Sequence, residues 1–160
     1  MENQTLQIKK KTYIINPELQ QFVDNYVKNK KPYLINMINN ITIQYVLIYP
    51  YISKNTVAKC IRSNDLIRLF GECEYVIEFS GELWDKLDEE LKEIIVWHEL
   101  LHILVTTDNN GDFQYKIKDH DVKDFYEIIQ QYGVDWFSKL KTICSSVYDL
   151  TPEETDNISL

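Results

Sequence analysis

Residues 98 to 102 read His98-Glu99-Leu100-Leu101-His102, two histidines four apart with a glutamate beside the first. On an α-helix, residues i and i+4 lie one above the other on the same face, so both imidazoles can point at one ion. Glu99 is turned about 100° around the axis, away from the ligand pair but within reach of a water on that ion. A metallohydrolase needs this arrangement: zinc acidifies the water and polarises a carbonyl, and the carboxylate takes the proton. From Ile94 to Val105 every other residue is apolar. An ionisable glutamate in such a stretch is costly to bury unless a cation and its water supply a partner.

A catalytic zinc takes three protein ligands and keeps one position for water. His120 is the only other histidine of the chain, eighteen positions after His102. Two rivals remain open. Asp108 lies six after His102, where proteins with an extended H-E-x-x-H-x-x-G-x-x-H/D motif take their third ligand, but Val105 stands in place of the glycine that eases the turn. Glu127 would serve if the ligand came from a downstream helix. Asp121 or Asp124 could accept a proton from a ligating imidazole. Tyr115 and Tyr126 are near enough in sequence to donate to an oxyanion.

Several elements must position these residues. Asn16-Pro17 is a helix start, and Leu19, Phe22, Val23, Tyr26 and Val27 recur at helical spacing to about Lys28. Residues 41 to 49 are β-branched and aromatic and end at Pro50, which predicts a strand. Two further strands are expected at 66 to 70 and 74 to 79, joined as a hairpin through Gly71-Glu72-Cys73. One helix is expected from Leu87 to Val105, amphipathic at first and then apolar nearly all round. Asn109-Asn110-Gly111 is a turn signal before a short strand or loop at 113 to 117. A helix starting around His120-Asp121 should end at Gly133, with another from 134 to 147.

The 160 residues suit one domain, taken as 1 to 150, with an acidic tail at 151 to 160 that its composition makes flexible. With 44% hydrophobic and 26% charged residues, the composition is that of a globular protein. A net charge of −8 argues against autonomous binding to nucleic acid or an anionic membrane. The polar start lacks the apolar stretch of a secretory signal, and the longest apolar run, 45 to 52, is too short to span a bilayer. Three cysteines without a C-x-x-C pair suit a reducing compartment, so a cytoplasmic protein is expected.

The stretches Tyr75–Trp84, Leu87-Asp88-Glu89-Glu90, His98–His102, His120–Phe125 and Tyr132-Gly133 with Trp136 resemble the phage metallopeptidase family, which is zincin-like and related to SprT-like proteases. The resemblance covers about half the chain. It implies a phage origin, His98, His102 and His120 as metal ligands, and Glu99 as the base. The expected fold is an α+β, zincin-like single domain, a small sheet packed on a central helix bearing H-E-x-x-H. The expected function is zinc-dependent cleavage of a peptide or protein substrate with one Zn2+ and Glu99 as general base. The alternative is a phage-encoded, zinc-stabilised binding protein that inhibits a host factor without catalysis.

Overall fold

A computed structural model describes residues 3 to 160. Its centre is a five-stranded mixed sheet. β1 (Gln4–Ile8) and β2 (Lys11–Ile15) form an antiparallel hairpin, and β2 continues antiparallel onto β3 (Ile43–Tyr49). β5 (Tyr75–Ser80) runs parallel to β3, and β4 (Ala58–Arg62) closes the far edge antiparallel to β5. Tyr45 and Leu47, Ile77 and Phe79, and Ala58 and Cys60 are buried on one face of this sheet.

The helices that cover this core are fixed by local chemistry. Asn16 caps α1 (Pro17–Lys30), its side chain accepting from the Leu19 amide at 2.7 Å, with proline in the first turn. Asp88 does the same for α5 (Glu89–Leu101), accepting from the Leu91 amide at 2.9 Å. Nine of the thirteen α5 residues are buried, so this helix passes through the interior.

The expected strand at 66 to 70 is instead helix α3 (Asp65–Gly71), preceded by the short α2 (Ile35–Asn40). Asn64 caps α3 by accepting from the Ile67 amide at 2.9 Å, and Glu72 stops it in the left-handed conformation at φ 51°. Local capping overrides the β propensity of its apolar residues, all of which stay exposed. The antiparallel neighbour of β5 is therefore β4 and not a hairpin partner across Gly71.

The helix expected through Val105 ends at Leu101. Its β-branched continuation forms β6 (Ile103–Thr107), antiparallel to β7 (Phe113–Ile117) across a turn in which Gly111 takes φ 87°. The helix expected from His120 begins later, as α6 (Tyr126–Tyr132), and Gly133 ends it at φ 74°. Residues 118 to 125 are irregular. α4 (Gly81–Lys86) follows β5, and α7 (Asp135–Tyr148) leads to the terminal segment.

That segment differs from the loose tail its composition suggests. Thr151 and Glu154 form a reciprocal capping box on α8 (Pro152–Asp156), Ile158 is buried, and Ser159 is held between backbone partners at Asn55 and Val57. Among the described residues no helix is long and apolar enough to cross a membrane.

Candidate metal centre

α5 carries His98 and Glu99 on successive positions of its last turn, and His102 caps its end. The β6–β7 hairpin then turns the chain back. The Lys118 amide donates to the His102 carbonyl at 2.7 Å, and Lys118 leads into the irregular stretch that brings His120 over the helix end.

The three imidazoles meet. Nε2 of His120 lies 2.9 Å from Nε2 of His98 and 3.1 Å from Nε2 of His102. One ligand atom from each of the three falls within 4.8 Å of the others, an arrangement that could hold a metal ion. The opposite edges of two rings are anchored. Nδ1 of His98 lies 2.8 Å from Oδ1 of Asp124, and Nδ1 of His102 lies 2.7 Å from the Lys118 carbonyl. Each acceptor takes an N–H from Nδ1, so in the neutral ring the lone pair of Nε2 faces the shared point. A single hydrogen on His120 Nε2 could satisfy only one of its two neighbours.

Burial favours the neutral form of all three rings. Burial depresses the pKa of His98 most, against an upward pull from Asp124. His102 and His120 are depressed first by burial as well, and each of the three is lowered further by a neighbouring imidazole. Neutral imidazole is the form that ligates a metal.

Glu99 is 0% exposed, and among the described residues neither carboxylate oxygen has a hydrogen-bond partner. Burial pushes its pKa up to about 8, opposed by the backbone of Cys60 on β4. An ionisable group with no partner inside the protein is expensive. The donor set of three imidazoles fits a divalent metal, and Glu99, next in sequence to His98, is a buried carboxyl without a hydrogen-bond partner of its own.

The remaining candidates fall elsewhere or take other roles. Asp108 is spent in the hairpin turn, accepting from the amides of Asn110 at 2.8 Å and Asp112 at 3.0 Å. Glu127 accepts from the Tyr33 hydroxyl at 2.7 Å. Asp121 accepts from the Tyr126 amide at 3.0 Å, at the start of α6. Tyr115 packs edge-on against Tyr75, and Tyr126 is exposed. Of the two aspartates weighed as partners of an imidazole, Asp124 is the one in contact. It is fixed by the Trp136 indole N–H at 2.9 Å and the Phe125 amide at 2.8 Å.

Two contributors carry no signal in the sequence. The Lys118 carbonyl is a backbone group that any residue could supply. Phe125, 1% exposed, sets its ring 5.0 to 5.3 Å from all three imidazole rings, a floor beneath the cluster.

The sequence model of the family described as Putative phage metallopeptidase matches residues 11–148. No curated protein and no solved structure matches the chain.

Proposed function

The chain belongs to the phage metallopeptidase family, and we propose that it hydrolyses peptide bonds with one zinc ion held by His98, His102 and His120 and with Glu99 as general base. The observation that carries this reading is the convergence of three Nε2 atoms at the end of α5, the helix whose Glu99, next in sequence to His98, is buried without a hydrogen-bond partner among the described residues. Three neutral imidazoles are a donor set suited to zinc. The setting proposed is the host-cell cytoplasm, with a peptide or protein as substrate.

When bound, a divalent ion supplies Lewis acidity at the scissile carbonyl and acidifies the attacking water. The chain's own residues do the rest. Asp124 and the Lys118 carbonyl hold His98 and His102 in the tautomer whose Nε2 lone pair faces inward. Phe125 fixes the tilt of the rings from below. Glu99 accepts the proton of water as oxygen bonds to the carbonyl carbon. It then gives that proton to the amine nitrogen as the C–N bond breaks.

The complete burial of Glu99 favours a second reading, a zinc-stabilised binding protein that inhibits a host factor, in which this carboxyl never meets a substrate. New amino termini released from a denatured protein mixture by zinc-loaded protein, beside the Glu99→Gln variant, separate the two. The peptidase reading expects cleavage that falls about hundredfold or more in Glu99→Gln. Equal cleavage by both proteins would remove the base from the mechanism. No cleavage by either, with zinc tightly bound, would favour the binding protein.

A further inference from the structure

A cavity of about 330 Å³ opens beside the metal centre, with His120 and Asp124 in its wall. Its apolar lining comes from three places in the chain. Val122 belongs to the irregular stretch after His120, Trp136 and Phe137 to α7, and Ile158 and Leu160 to the terminal segment. This last wall is held firmly. Ile158 is 5% exposed, Ser159 bonds through its backbone to Asn55 at 2.8 Å and to Val57 at 2.9 Å, and Lys141 Nζ donates to the Asp156 carbonyl at 3.2 Å. Residues 158 to 160 lie beyond 11–148, the part of the chain that matches the family.

We infer that this cavity is the side-chain specificity pocket of the active site, taking a branched aliphatic or aromatic residue next to the scissile bond, with the terminal segment as its outer wall. The inference rests on the peptidase reading. Trp136 links the two regions: its ring lines the cavity while its N–H holds the Asp124 carboxylate that orients His98. An occupant of the cavity therefore lies against the ligand set, where a residue flanking the cleaved bond has to be. The volume sits at the lower end of the range for ligand pockets, about 300 Å³ and upward, and leaves ample room for one large side chain, since a cavity of about 150 Å³ already takes benzene. The apolar part of this lining selects by burial of hydrocarbon and offers nothing to glycine, while Lys123, Lys141 and Asp156 contribute a charged part of the wall.

Two measurements test it. In the first, zinc-loaded protein cleaves peptides randomised on both sides of the bond, and the products are sequenced. Leucine or phenylalanine should be preferred over glycine by about tenfold or more at one flanking position. Leu160→Asp and Val122→Asp, which alter different walls, should bring that ratio close to one, and Leu160→Met should restore it. In the second, N-acetylphenylalanine amide and N-acetylglycine amide are titrated into metal-free protein while the Trp136 indole N–H is followed by NMR. The phenylalanine probe alone should shift it, and less so in Leu160→Asp. A flat profile at both positions, or a preference unchanged in both aspartate variants, would overturn the proposal. If no peptide is cut, the peptidase reading falls and the titration decides alone: a Trp136 shift lost in Leu160→Asp supports an apolar side-chain site, and an unmoved signal overturns it.

Discussion

Asp124 and His98 are joined at 2.8 Å between Oδ1 and Nδ1, and the same carboxylate is held through its second oxygen by the Trp136 indole at 2.9 Å. The His98 imidazole is thus oriented by a side chain from outside its own helix, itself fixed by a third element. Replacing Asp124 by Asn should keep the fold and lower zinc affinity about tenfold to hundredfold, the usual cost of losing such a partner. Competition against a chromophoric chelator at fixed pH measures this. Unaltered affinity would mean that the pair does not support the ligand set.

Phe125 lies under all three imidazoles and is almost fully buried. Phe125→Ala should destabilise the chain by about 3–5 kcal/mol through lost burial and the cavity left behind. Denaturant midpoints of the metal-free proteins give the number without a contribution from the ion. A loss well under 1 kcal/mol would show that the floor collapses to fill the space.

Metal removal should lower the melting temperature, since an ion bound by the folded chain adds its binding energy to stability. Loading is confirmed by metal analysis before each melt. An apo form that melts together with the loaded one would argue against a site among His98, His102 and His120.

Glu78 on β5 lies opposite Lys59 on β4, and burial raises its pKa from 4.5 despite Lys59 and Lys11. A carboxyl whose folded pKa exceeds its unfolded one disfavours folding when ionised. Its cost is present above the folded value and disappears as pH falls below the unfolded value. Glu78→Gln should therefore melt higher than the parent near neutral pH, and the difference should fade well below pH 4.5. A gain that persists unchanged in acid would assign the effect to packing.

Much of this was legible where a local rule and the tertiary context agree. Asn16-Pro17 starts α1, residues 41 to 49 contain β3, 74 to 79 overlap β5, and Asp135–Tyr148 is the helix expected near 134 to 147. The apolar run at 66 to 70 misled because it is apolar without being buried, while the cap at Asn64 decides its state. β4 was hidden because Ala58 and Cys60 are small inward residues beside the charged Lys59 and Arg62. The extension of α5 to Val105 failed because periodicity cannot show where β-branched residues find a partner, which for β6 is β7, across the turn that begins at Asp108. At the site, the spacing of His98, Glu99 and His102 is a helical rule and is readable. The approach of His120 depends on a hairpin and an irregular stretch, and its place near the pair follows from long-range packing that no local pattern encodes.

Zinc binding by the parent chain and by five single variants puts the central claim to its most direct test. His98→Ala, His102→Ala, His120→Ala, Asp108→Ala and Glu127→Ala are each titrated against a competing chelator at one pH, so that protonation of the ligands is common to all. The account predicts one ion per chain, a large loss of affinity in each histidine variant, and affinity close to the parent's in the two carboxylate variants. Parent-like binding by His120→Ala, with a loss in Asp108→Ala or Glu127→Ala, would contradict it.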